Sequence, residues 1–201
     1  MEITWHGEST FTIKGKKTTL VVDPKDGLKA DTVLMTDDYD EKAKPAKGLE
    51  NANTINWPGE YEYQGAAIVA IPAYTKEQKE GDTAAGRILV YSMEVDDIRF
   101  CHLAELGKEL DEEVQSKIGD VDILMVSAAS KKALTVKELH KAIEAIDPRV
   151  IIPMNFNDQK ELDELLKELG ITEHEKLDVF EIKAKSQLPE DKTDFIELKP
   201  V

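Results

Sequence analysis

One cysteine, Cys101, stands in 201 residues, so the chain forms no internal disulfide, a usage that fits a reducing cytosol. Arginine is nearly as scarce: Arg87, Arg99 and Arg149 are the only guanidinium groups. With 26 Lys+Arg against 41 Asp+Glu the formal charge is −15, which repels a phosphate backbone and argues against nucleic acid or an anionic membrane as partner. Long apolar runs are missing too. Ala66–Ile71 is the longest, far short of the about 20 residues that cross a bilayer. The start, Met1 to Thr10, lacks a basic flank and an apolar segment, so no secretory signal is read there, and a cytoplasmic location is expected. What is present is a 41% apolar share, enough for a core, in a length that suits a single domain. The expectation is one unit over 1–201, with 177–201 as a strand-rich C-terminal extension.

The N-terminal half reads as strands and turns. Thr10–Ile13 alternates, Gly15-Lys16 turns and Thr18–Val22 alternates again, a hairpin signature. Asp31–Thr36 is a short apolar run without alternation, as for a strand covered on both faces. Segments 54–56, 61–63, 67–71, 88–93 and 98–103 continue the series, the last two separated by Asp96-Asp97 at hairpin spacing. The second half changes period. Asp111 caps a short helix ending at Gly119; Thr135 with Glu138 forms a capping box ahead of Val136, Leu139, Ile143 and Ile146; Asp158 with Glu161 starts a third helix carrying Leu162, Leu165, Leu166 and Leu169, closed by Gly170. Strands at 123–127 and 150–153 separate these helices, and 177–182 and 195–198 read as edge strands or an appendage. Ala30–Thr36 faintly echoes Val121–Ser127, each a buried strand entered through an acidic residue. Segments 37–53 and 76–86 are the candidate mobile loops.

Chemistry is sparse at the level of motifs. No two of His6, His102, His140 and His174 sit at the i, i+2 or i, i+4 spacing that gathers imidazoles round a metal. His140 and His174 lie among charges and read as solvated. Cys101 and His102 are adjacent on a strand, hence on opposite faces, so they cannot pair as nucleophile and base. Gly59–Tyr61 and Gly81–Thr83 read as turns rather than phosphate cradles. The polar cluster Asp37–Lys42 directly follows a buried strand, the position where α/β proteins build sites.

A series of fragments in fixed order carries a resemblance: Thr4-Trp5-x-Gly7-x-Ser9-x-Phe11, Asp23-Pro24, Asp31–Thr36, Pro58–Glu62, Ile71-Pro72-x-Tyr74, Ile98–Gly107, Gly119–Met125 and Val150–Met154. Together they resemble the metallo-β-lactamase-fold hydrolases, and within them the small branch related to L-ascorbate-6-phosphate lactonase. The resemblance covers nearly the whole chain. It implies an α+β fold, a four-layer αββα sandwich of two packed sheets with helices outside, the strands at 31–36 and 121–127 being central.

That family works through a Thr-His-x-His-x-Asp-His loop with a later Asp and a later His around one or two metals, zinc in active relatives. Here the first two ligand histidines are Asp37 and Tyr39, the aspartate is Glu41 and the third histidine is Lys42. The later aspartate is Glu105 and the last histidine is Asn155; an early and a late histidine of many relatives are Glu8 and Thr75. His102 survives, though it is not a primary ligand in the family, and with Glu8 and Thr75 it is expected to line the cleft. Zinc sites rest on imidazole or thiolate, and neither is offered. Lys42 adds an ammonium, and two unit charges about 4 Å apart repel by ~4 kcal/mol at an effective dielectric near 20, a divalent ion by roughly twice that.

The leading expectation is therefore a catalytically silent protein with no catalytic residue, metal or cofactor. It would serve a binding, scaffolding or regulatory role toward an unknown protein or small-molecule partner, with homo-oligomerisation open. Lys42 is expected to fill the vestigial site by pairing with Asp37, Glu41 or Glu105. The alternative is a hydrolase of an ester, lactone or phosphodiester in which Asp37, Asp38, Glu41, Glu105 and Asn155 hold Mg²⁺, Mn²⁺ or Ca²⁺ through oxygen alone. A third reading is a metal-free pocket that binds a small cation or polar metabolite through the same carboxylates.

Overall fold

Alternating apolar residues and tight turns build the first sheet. A computed structural model of the chain describes residues 1–37, 46–78 and 85–201. Strands β1 (Glu2–Trp5), β2 (Phe11–Lys14), β3 (Thr19–Val22), β4 (Thr32–Leu34) and β5 (Asn53–Ile55) follow in order. They join β13 (Phe180–Glu181) in a six-stranded sheet ordered β13-β1-β2-β3-β4-β5. The β2–β3 turn begins at Gly15, where any Cβ would lie 2.7 Å from Val95 Cγ1 of the opposing sheet. A glycine is required there by that close approach.

The second sheet holds β6 (Gly59–Tyr63), β7 (Ala66–Tyr74), β8 (Arg87–Val95), β9 (Ile98–His102), β10 (Ile123–Ser127), β11 (Val150–Met154), β12 (Glu175–Leu177) and β14 (Asp194–Leu198), ordered β12-β14-β11-β10-β9-β8-β7-β6. Its β6–β9 half is an antiparallel meander and its β9, β10, β11 and β14 run parallel. Asp96 and Asp97 turn β8 into β9 with φ of 52° and 67°, the two positive angles a type I′ hairpin demands.

Capping signals set the helices α1 (Glu112–Ile118), α2 (Val136–Ile146) and α3 (Gln159–Glu168). Asp111 accepts from Val114 N–H at 2.8 Å, Asp158 accepts from Glu161 N–H at 3.0 Å, and Thr135 with Glu138 forms the full capping box. The core has two layers. Between the sheets lie Trp5, Phe11, Leu20, Leu34, Leu89, Tyr91, Phe100, Met125 and Ile152. Outside the eight-stranded sheet, Ile71, Val90, Cys101, Leu124 and Ile151 meet Ile118, Leu139, Ile143, Leu162 and Leu165 of the helices. Strand alternation thus sends Cys101 out to the helices and Phe100 inward, as the adjacent-residue argument required.

Two mixed sheets packed face to face form the expected sandwich. Several expectations change in detail. Among the described residues all three helices cover the eight-stranded sheet. β10 is central, but β4 is next to the edge because the short β5 is the last strand of its sheet. β14 is interior, between β12 and β11, since its apolar residues Phe195, Ile196 and Leu198 reach both core layers. β13, far along the chain, pairs with β1. Gly59–Tyr61 belongs to β6 rather than to a turn, paired with Ile68–Ala70. The two echoing strands, β4 and β10, lie in different sheets. Parts of the candidate mobile loops, 38–45 and 79–84, lie outside the described residues. Among the described residues no helix is long and apolar enough to cross a membrane.

Candidate functional site

Parallel strands deliver their C-terminal ends to one edge, and β9, β10 and β11 do so side by side. Glu105 follows β9, Ser127 ends β10 and Asn155 follows β11. From the facing sheet, Thr36 O accepts from Leu89 N–H at 2.8 Å and Asp37 forms a backbone bridge with Ile88. As β8 runs antiparallel to β9, its beginning lies beside the end of β9, so Asp37 stands at the same edge as Glu105. Four non-glycine residues here adopt left-handed backbone: Glu8 (φ 53°), Asp23 (46°), Ala104 (51°) and Asn155 (55°). Such conformations persist only where surrounding contacts hold them, and they concentrate at functional sites.

Those contacts are specific. Asp23 accepts from Thr36 N–H at 2.7 Å and from Thr36 Oγ at 2.6 Å, bracing the strand end that leads into Asp37. Burial pushes the Asp23 carboxyl above the usual carboxylate range, and hydrogen bonds from Thr36 and Ser9 offset part of that. Asn155 N–H donates to Glu8 O at 3.3 Å and Asn155 Nδ2 donates to Ser127 Oγ at 3.2 Å. Ser130 Oγ donates to a Glu105 oxygen.

His102 is fully buried with its ring edge-on to Phe11. Its Nδ1 accepts from Ala104 N–H at 3.2 Å, which leaves Nε2 protonated and donating to Ser9 O at 3.1 Å. Burial lowers its pKa to about 4, so the ring is neutral at pH 7. Both ring nitrogens are spent on the Ser9 loop and the Ala104 turn.

Other expected cleft residues separate. The Glu8 side chain points outward to Lys25, 3.1 Å away. Thr75 is buried, and its hydroxyl accepts from Glu77 N–H at 3.1 Å, a turn role. Tyr39, Glu41 and Lys42, and with them the expected Lys42 ion pair, lie outside the described residues. Asp23 and Ser130 escaped the sequence reading; the Asp23-Pro24 dipeptide after an alternating strand was the one available signal. The solvated reading of His174 is corrected: pairing of β12 with β14 packs it on Phe195, and its Nε2 lies 2.7 Å from Glu197. His140 is half-exposed between Glu144 and Glu168.

The fold implies a metal, so donor chemistry is the test. Among the described residues no group of three or more His, Cys, Asp or Glu side chains could hold an ion. An imidazole-held zinc does not fit, because both ring nitrogens of His102 are engaged and the His6 ring is held on Thr12 through Nε2, 2.8 Å away. The oxygen donors Asp37, Glu105 and Asn155 suit a harder cation in kind.

Residues 2–155 match the β-lactamase superfamily domain family. A metal-dependent hydrolase of Methanopyrus kandleri is 23% identical over 215 residues, covering 85% of this chain and 94% of that protein. One of Pyrococcus abyssi is 28% identical over 129 residues, covering 64% and 56%. A Thermotoga maritima structure described as a Zn-dependent hydrolase of the metallo-β-lactamase superfamily superposes with a TM-score of 0.77 at 25% identity, covering 98% of this chain and 99% of that one. These relatives overturn the expectation of a catalytically silent protein. Missing imidazoles exclude one kind of ligand set, whereas the proteins this chain matches are named metal-dependent hydrolases, which favours the hydrolase alternative. With three quarters of its length in that match and the two-sheet architecture shared end to end, the chain belongs to the metallo-β-lactamase superfamily.

Proposed function

We propose that the chain is a hydrolase of an ester, lactone or phosphodiester, dependent on a hard divalent cation such as Mg²⁺, Mn²⁺ or Ca²⁺. The observation that carries this reading is the placement of Asp37, Glu105 and Asn155 just past the ends of β4, β9 and β11 along one edge, in a fold whose relatives are named metal-dependent hydrolases. Asp37 and Glu105 would supply carboxylate oxygens and Asn155 an amide oxygen; Asp38 and Glu41, the other donors named from the sequence, lie outside the described residues. A bound cation supplies Lewis-acid polarisation of the scissile carbonyl or phosphoryl oxygen. The protein's own part is positioning. Ser130 orients Glu105, Asp23 fixes the Thr36 end of β4, and Ser127 turns the Asn155 amide so that its oxygen faces away from the donated N–H. His102 stays a neutral brace and moves no proton. The resemblance to the L-ascorbate-6-phosphate lactonase branch supports placing lactones first in a substrate screen.

The test strips the purified protein with a chelator and reloads it separately with Mg²⁺, Mn²⁺, Ca²⁺ and Zn²⁺ before screening lactones, esters and phosphodiesters. Turnover is expected with Mg²⁺ or Mn²⁺ and lost in Asp37→Asn and Glu105→Gln. No turnover under any loading overturns the reading.

A further inference from the structure

Among the described residues three large apolar side chains are exposed, Trp57, Val179 and Val201, and Trp57 is the one aromatic of the three. Its side chain is 44% exposed, whereas the other tryptophan, Trp5, is buried. An indole in water forgoes the burial that makes aromatic side chains dominant in cores and interfaces. One exposed apolar residue is ordinary on a surface, so its place and its backing decide what it means.

Its place follows from register. β5 runs parallel to β4 with Ile55 beside Leu34, and Met35 N–H donates to Ile55 O at 3.0 Å. Residues 56–58 therefore leave β5 at the same edge at which Thr36 and Asp37 leave β4. The Tyr91 hydroxyl joins the two exits, 2.8 Å from both Met35 O and Ile55 O. From there the chain crosses to the eight-stranded sheet, where β6 begins at Gly59. The backing is specific too. Trp57 O accepts from the Tyr61 hydroxyl at 3.0 Å, and Tyr61 packs on the core between the sheets. The Tyr61 ring folds back over Gly59, where a Cβ would lie 3.3 Å from its hydroxyl. Pro58 fixes the next backbone angle. The backbone that carries the indole is held in advance, so little further ordering accompanies a contact made there.

We propose that Trp57 is a specificity-determining residue of this edge: its indole receives the uncharged, flat ring of an aryl ester or aryl lactone. The proposal rests on the reading of the edge as hydrolytic and adds the substrate class, and it calls on no metal ligand. Stacking on an indole contributes about 0.5 to 1.5 kcal/mol beyond the area buried. The formal charge of −15 disfavours an anionic ring in the same place.

The experiment has a turnover arm and a binding arm, both on the full chain. Four forms are compared: wild type, Trp57→Phe, Trp57→Ala and Val179→Ala. Val179 is an exposed apolar control beside β13, at the opposite end of the six-stranded sheet from β5. The turnover arm takes kcat/KM for phenyl acetate over that for methyl acetate, a ratio within each variant that cancels any loss of folded protein. Trp57→Ala should lower the ratio about tenfold, while Trp57→Phe and Val179→Ala stay near wild type. The binding arm titrates acetanilide, an amide that copies phenyl acetate, against N-methylacetamide, followed by the probes' own proton resonances. Wild type should bind acetanilide more tightly, and Trp57→Ala should lose that preference. An unchanged ratio in Trp57→Ala overturns the proposal, as does an equal fall in Val179→Ala. The two readings fail separately. Turnover of both esters with no dependence on Trp57 keeps the hydrolase and sinks the role of Trp57. With no turnover of any substrate the hydrolase falls and the binding arm decides: a preference for acetanilide lost in Trp57→Ala supports the ring contact, and its absence in wild type sinks that as well.

Discussion

The two edges of the sandwich both carry non-glycine residues in left-handed backbone, and for opposite reasons. At the edge where β6 meets β7 and β8 meets β9, Gln64, Asp96 and Asp97 take φ of 50°, 52° and 67° inside two-residue hairpin turns. The turn type itself asks for those angles, and the neighbours in sequence supply everything needed. At the other edge Glu8, Asp23, Ala104 and Asn155 are held by partners far along the chain: Asn155 N–H on Glu8 O, Thr36 on Asp23, and His102 between Ser9 and Ala104. Local geometry explains the first edge. Only tertiary contacts explain the second, and that is where the candidate site lies.

The sharpest way to break this contrast is a methyl group placed at each edge. Gly107→Ala sets a Cβ against backbone atoms of Thr75, Lys76 and Lys132 that have nowhere to move, and should cost at least about 3 kcal/mol in urea unfolding. Gly65→Ala, in open space but at φ 81°, should cost only about 1 kcal/mol. Equal costs would mean that the backbone packed around Gly107 is not rigid.

A pH series probes the same edge through His102. The folded pKa, about 4, lies below the unfolded value of 6.5, so the unfolded chain binds the extra proton first. Stability is full above pH 6.5 and declines as pH falls toward 4, by roughly 2 to 3 kcal/mol between pH 7.5 and 4.5. The raised Asp23 carboxyl works in the opposite sense, binding its proton first in the folded state and returning part of that loss as pH falls through the carboxylate range. His102→Asn, whose amide oxygen replaces Nδ1 as acceptor for Ala104 N–H, should lower stability at pH 7 and flatten the decline. An unchanged slope in that variant would assign the decline to other groups.

The contrast also marks what could be read in advance. Elements whose causes are local were legible: the Asp111, Thr135 and Asp158 caps, the Asp96-Asp97 turn and the opposite facing of Cys101 and His102. Elements decided by distant partners were not. Nothing near Phe180 says that it pairs with Ile3, and charged neighbours hid the packing of His174 on Phe195. The candidate site divides the same way. Asp37, Glu105 and Asn155 were picked out by the order of motifs, whereas Asp23 and Ser130 matter through hydrogen bonds that join separate segments of the chain. Ligand types alone misled on function, because the absence of imidazole speaks to zinc and not to oxygen-held ions.

The smallest expected effect is the most discriminating. Glycine relieves left-handed strain wherever it is placed, at some cost in chain entropy. At Asp97 (φ 67°) the turn needs nothing from the side chain's absence except comfort, so Asp97→Gly should stabilise the protein by about 0.5 kcal/mol and leave turnover unchanged. At Ala104 (φ 51°, buried) the same relief is offset by a lost methyl in the core. Stability should therefore stay within about 0.5 kcal/mol of wild type or fall slightly. Turnover is where the two variants part: glycine frees the backbone between His102 and Glu105, so Ala104→Gly should lower kcat with little change in melting temperature. Matched kcat in both variants would show that Glu105 is held by Ser130 alone and that the His102 brace does not reach it.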